Sequence, residues 1–173
     1  SSSLSSYLDN LSAGSTASLY YVAVDIYGTV GSSDSYDIRI NGVPVINSIS
    51  VSSELVETGQ EVQISSSFQD FEGFDNVNIK TYSSIDGLIS DVFCTICEPF
   101  SIFVSNLSPG VHDISVSFKD SDNITVFSNS IELMVNSAPT VTLEGPIWTV
   151  ADTEVVFTAT ATDSDGNISR YNW

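Results

Sequence analysis

All-β architecture, in the form of sandwiches strung in tandem, is what this sequence predicts. Three observations carry the prediction. Short runs rich in Val, Ile, Phe and Thr alternate apolar with polar residues, the period-two pattern of half-buried strands. Clusters of Asp, Asn, Ser, Gly and Pro separate those runs, as turns do. The chain also repeats itself, and a period longer than one strand marks a tandem array.

The elements follow in chain order. Tyr20-Tyr21-Val22-Ala23-Val24 is apolar at every position. Leu19, Tyr21 and Ala23 align with core positions of the repeat, which turns Tyr20, Val22 and Val24 outward as an interface candidate. A short Pro-containing linker, Asn41 to Pro44, follows. Val62, Ile64, Ser66 and Phe68 then alternate with polar residues, and the turn Asp70 to Asp75 ends that run. Ile114, Val116 and Phe118 form the next clean alternation, between the turns Ser108-Pro109-Gly110 and Asp120-Ser121-Asp122-Asn123. A second linker of the first kind, Asn136 to Pro139, leads to a loop carrying Trp148, another interface candidate. Val155, Phe157, Ala159 and Ala161 alternate last, before the turn Asp163 to Asn167. Short Pro-containing linkers favour a semi-rigid rod. No window has a helical period. About seven short strands per repeat, with turns every 8–12 residues, indicate a sandwich of immunoglobulin type.

The repeat fixes the domain boundaries. Val24-Asp25 through Asn41 matches Lys119-Asp120 through Asn136, a step of 95. Glu61-Val62 and Asp70 match Glu154-Val155 and Asp163, a step of 93. Residues 43–137 make one complete copy. Residues 138–173 supply the first half of a second copy and residues 1–42 its last half. In the complete copy Leu88 lies six residues after Tyr82; if Trp173 is joined to Ser1, Leu4 lies six residues after Tyr171. The register crosses that seam without a gap. The chain is therefore expected to be one period of a two-domain array, or else a fragment flanked by similar domains. In the split copy Val155, Phe157, Leu19, Tyr21 and Trp173 are the expected core. The halves are expected to meet head to tail between successive units, as continuous chain or by strand complementation.

Ala138-Pro139-Thr140-Val141, Glu154 to Ala159, Asp163-Ser164-Asp165-Gly166-Asn167-Ile168 and Tyr171-Asn172-Trp173 resemble the first half of a PKD-like immunoglobulin-fold domain. Asn106-Leu107-Ser108-Pro109-Gly110-Val111-His112-Asp113-Ile114 resembles its second half. The family's Gly-Asp-Gly run after the strand-C Trp is missing, and Ser84 stands where the other copy has Trp173. The resemblance implies an extracellular spacer, adhesin or surface-layer module.

Composition narrows the function. Four Lys plus Arg against 22 Asp plus Glu give a net charge of −18. A field of that sign repels nucleic acid and anionic membranes. The one histidine, His112, cannot build a convincing Ser/His/Asp set, and no phosphate loop occurs, so an enzyme is not expected. Cys94 and Cys97 sit in an insertion of the complete copy. They are expected to form a local disulfide in an oxidising compartment, free thiols or a zinc site being the alternatives. Asp163, Asp165 and Asn167, with Asp120 and Asp122, are expected to stabilise tight turns; a weak Ca2+ site is the alternative, although the EF-hand spacing is missing. Asn10, Asn106, Asn123 and Asn167 begin Asn-X-Ser/Thr sequons, candidate glycosylation sites in a secreted protein. Lys80 and Lys119 are expected to face solvent rather than form an isopeptide. The function expected from these features is a structural repeat of an extracellular filament, stalk or adhesin. The alternative is a carbohydrate-binding or cell-surface accessory module of a larger secreted protein.

Overall fold

The computed structural model describes residues 10–71, 76–95 and 99–172. Ser1, Leu4, Cys97 and Trp173 lie outside these residues. Fifteen strands and no helix occur among them. In chain order they are β1 (Thr16–Leu19), β2 (Val22–Val24), β3 (Val30–Ser32), β4 (Tyr36–Arg39), β5 (Val45–Val51), β6 (Leu55–Glu57), β7 (Val62–Gln69), β8 (Val77–Ser83), β9 (Gly87–Cys94), β10 (Phe100–Val104), β11 (Gly110–Lys119), β12 (Thr125–Phe127), β13 (Ile131–Asn136), β14 (Thr140–Glu144) and β15 (Thr158–Thr162).

Strands β5 to β13 form a two-sheet sandwich. One sheet has the order β10-β7-β5; the other has the order β6-β13-β11-β8-β9, with β12 also on β11. All pairings are antiparallel except β6 with β13. This is an immunoglobulin-like arrangement, in which a first strand splits between the two sheets. Period-two sequence explains the packing: along β7 every second side chain is buried, because successive residues point to opposite faces. Val62, Ile64, Phe68, Ile114, Val116 and Phe118 are all buried, as the alternation predicts. They belong to two clusters, one around Val62, Ile64, Ile114 and Leu133, the other around Phe68, Ile79, Val116 and Phe118. Phe68 and Phe118 meet between the sheets with ring centroids 4.7 Å apart. Among the described residues, every residue of both clusters falls within 43–137.

The flanking segments form small separate sheets: β1 with β4, β2 with β3, and β14 with β15. Among the described residues no ladder joins the N-terminal strands to β14 or β15. Their apolar side chains are correspondingly open. Tyr21 is 78% exposed and Phe157 49%, and Leu19 and Val155 are only half-buried. The expected burial of Tyr21 and Phe157 therefore fails within a single chain. The physical reason is that these segments form separate two-stranded sheets, and a sandwich core needs two sheets packed face to face.

Candidate functional site

The three strand pairs of the terminal segments match three ladders of the complete sandwich. Along β1 and β4, Thr16, Ala17, Ser18 and Leu19 oppose Arg39, Ile38, Asp37 and Tyr36. Adding 95 to each number gives the ladder of Val111, His112, Asp113 and Ile114 with Met134, Leu133, Glu132 and Ile131. Strands β2 and β3 pair Val22 with Ser32 and Val24 with Val30; the same step gives Ser117 with Phe127 and Lys119 with Thr125.

The turns repeat as well. Asp25 N–H donates to the Thr29 carbonyl at 3.0 Å, and Thr29 N–H donates to Asp25 Oδ1 at 2.8 Å. In the sandwich, Asp120 N–H donates to the Ile124 carbonyl at 3.0 Å, and Ile124 N–H donates to Asp120 Oδ1 at 2.7 Å. The fourth residue of each turn has positive φ, 86° at Gly28 and 71° at Asn123; Gly and Asn tolerate that conformation best.

At the other end, β14 and β15 pair Thr140 with Thr162 and Glu144 with Thr158. Their counterparts are Val45 with Gln69 and Ser50 with Ser65, on β5 and β7. The sandwich ladder shifts register between Ile46 and Ser48. Asn47 is thus one of the two residues by which the steps of 95 and 93 differ, held as a bulge.

Each terminal segment has one apolar face. Val141, Leu143, Phe157, Ala159 and Ala161 share a face of the C-terminal pair, and threonines with Glu144 occupy the other. Residues 168–172 cross that face: Ile168, Arg170, Tyr171 and Asn172 line a cavity of about 300 Å3 together with Pro139, Val141, Leu143, Ala159 and Ala161. On the N-terminal half Ala17, Leu19, Tyr21, Tyr36 and Ile38 take the positions that are core in the sandwich. Ala17 is buried, but Tyr21, Tyr36 and Phe157 are exposed, in contrast with the sandwich. Ile64 and Val116, counterparts of Phe157 and Tyr21, are 0% exposed. Pro44 is fully buried, whereas its counterpart Pro139 is exposed.

Both linkers dock on acidic turns. Asn41 Nδ2 donates to Asp120 Oδ2 at 3.1 Å, and Arg39 pairs with Asp122. Ser137 N–H donates to Asp165 Oδ2 at 3.0 Å, and its hydroxyl contacts Ser164 at 2.8 Å and also donates to Asp165. The hydroxyl and backbone N–H of Ser137 hold the Asp165 carboxyl below its ordinary value. Asp165 N–H is aimed at Asp163 Oδ1 across the turn, at 3.4 Å. These carboxylates thus serve turns and junctions. Among the described residues no three acidic, His or Cys side chains are grouped to hold a metal ion.

Tyr20, Val22 and Val24 are exposed, and so is Trp148. Asn10, Asn106, Asn123 and Asn167 are all exposed. Cys94 is disulfide-bonded; Cys97, its expected partner, lies outside the described residues. Lys80 forms an ion pair with Asp91 at 3.2 Å. His112 is fully buried. Its Nε2 lies 2.7 Å from the Ser108 carbonyl, which only accepts, so the ring proton sits on Nε2. Ser83 Oγ then donates to Nδ1 at 2.6 Å. This is a structural staple, shut away from substrate.

Sequence reading missed one surface. On the outer face of the larger sheet, Tyr82, Phe93 and Phe127 surround a shallow depression of about 350 Å3 with Lys80 and Lys119. Phe93 and Phe127 are well exposed. Large aromatics on the polar phase of β9 and β12 were the available signal.

No known protein-family pattern matches the chain, and no curated protein does. Among solved structures it is similar to the fibronectin(III)-like modules of Clostridium thermocellum CbhA, at 28% identity and a TM-score of 0.42. That match covers 74% of this chain and 66% of the other, so it takes in a little under two thirds of that chain's length.

Proposed function

We propose that the chain is a structural repeat of a long extracellular filament, stalk or adhesin, built from tandem immunoglobulin-like domains of PKD-like type joined head to tail. One observation carries this reading: both terminal segments hold strand pairs that match ladders of the central sandwich, with Tyr21 and Phe157 exposed at positions that are core there. The docked linkers support it, because fixed junctions favour a rod. The shortage of basic residues and the four exposed sequons support an extracellular setting. Sedimentation velocity and negative-stain microscopy of the purified chain over a range of concentrations test it. Concentration-dependent linear oligomers are expected. A chain that stays monomeric throughout overturns the reading.

A second reading rests on Phe93, Phe127 and Tyr82. An aromatic surface of this kind suits stacking on sugar rings, and would make the chain a carbohydrate-binding or cell-surface accessory module. Glycan-array binding that is lost in Phe93→Ala and Phe127→Ala supports it; an empty array rejects it.

A further inference from the structure

The internal repeat says more than that two halves meet; it specifies which strands pair and in what register. In the complete sandwich β8 lies beside β11, with Tyr82 opposite Ser115 and Lys80 opposite Ser117. The step from Ile79 to Ile168 and from Tyr82 to Tyr171 is 89. The counterpart of residues 78–83, the part of β8 paired with β11, is therefore the segment 167–172, and the counterpart of residues 114–119 of β11 is residues 19–24.

Resting on the head-to-tail reading above, we infer that residues 167–172 of one copy add as an antiparallel strand to residues 19–24 of a second copy. Tyr171 lies opposite Tyr20 in this pairing, and Ser169 opposite Val22. The occupant of the open C-terminal face is thus the open N-terminal face of another copy of this chain.

Four observations converge on that occupant. Residues 168–172 already lie across the apolar face of β14 and β15, where a strand of the second sheet belongs, yet they form no ladder. Residues 22–24 present an edge in the same place: residues 117–119 of β11 lie between β8 and β12, whereas among the described residues β2 pairs with β3 alone. An unpaired edge with an apolar face is a template for another strand.

The faces also match in bulk. Phe68 and Phe118 touch between the sheets, and their counterparts are Ala161 and Ala23. Both members of one contacting pair are small in the split copy, although they lie in opposite halves of the chain. Paired loss of bulk leaves a core collapsible; loss on one side alone would leave a cavity. Bulk returns at Phe157 and Tyr21, counterparts of Ile64 and Val116. Pairing in the inferred register finally puts Tyr20 and Val22 on the outer face, in the row that Ser115 and Ser117 occupy in the sandwich, and turns Tyr21 inward.

Cysteine cross-linking of the full chain tests the register. Val22 and Ser169 are exposed, so Val22→Cys with Ser169→Cys leaves the central sandwich untouched. Directly opposed residues have Cβ atoms about 4.5–5.5 Å apart, and diagonal ones about 7–8 Å. Mild oxidation should give a reducible ladder of dimers, trimers and higher species, formed faster than by the shifted pair Val22→Cys with Tyr171→Cys. Equal or faster cross-linking by the shifted pair, or oligomers in sedimentation without cross-linking by either, overturns the register and leaves the filament reading standing. A monomer cross-linked within one chain overturns both, since the halves would then complete each other internally. So does a chain that neither oligomerises nor cross-links.

Discussion

Thr81 is the clearest residue-scale test of the sandwich. It is fully buried on β8, and its Oγ1 has no hydrogen-bond partner among the described residues. A buried hydroxyl without a partner forfeits its hydration for nothing. Thr81→Val keeps the shape and removes the orphan, so it should stabilise the chain by about 1 kcal/mol, read from urea unfolding. His112 is the opposite case, since both its ring nitrogens are satisfied. The Ser137–Asp165 contact gives a pH test. Hydrogen bonds from Ser137 lower the Asp165 carboxyl below its ordinary value, so the junction contributes in full above about pH 4 and is lost as pH falls through the depressed value. Ser137→Ala should move the Asp165 titration upward towards an ordinary carboxylate, seen in its carboxyl carbon shift by NMR. An unmoved titration would mean the linker does not dock there.

At the scale of elements, β7 and β11 hold the central domain together, because each contributes inward side chains to both clusters. Phe68→Ala removes a ring that contacts both Phe100 and Phe118, and should cost about 3–5 kcal/mol. The same change at Phe118 should be less than additive with it, because the two rings share one contact. The end of β9 is tied differently. A Cys94–Cys97 bridge closes a very short loop, so its removal in Cys94→Ser/Cys97→Ser should cost less than about 2 kcal/mol. Intact mass after alkylation without reduction should show no labelled thiol; two labelled thiols would refute the pairing.

At the scale of the molecule, stability and association should be separable. Among the described residues, both core clusters lie in 43–137, so that segment alone should unfold cooperatively and remain monomeric. The full chain adds open apolar faces at both ends and should associate. Its −18 charge opposes that association at long range, and salt screens the repulsion over about 10 Å at 0.1 M. Oligomers of the full chain should therefore grow with added salt, measured by light scattering, while residues 43–137 stay monomeric.

Much of this was legible in one dimension. Period-two alternation located β7, β11 and β15, because strand geometry alone puts residues 62, 64, 66 and 68 on one face. The repeat assigned equivalent turns at Asp25 and Asp120, because their hydrogen bonds close within five residues. The expected burial of Tyr21 and Phe157 depended on something sequence does not carry: which surface covers a face. Burial belongs to a pair of sheets, and pairs form between segments remote in the chain or in another copy of it. For the same reason the aromatic surface of Phe93 and Phe127 stayed hidden until β9 and β12 were brought to one sheet, and the acidic turns were seen to meet the linkers only once Asp122 stood beside Arg39 and Asp165 beside Ser137.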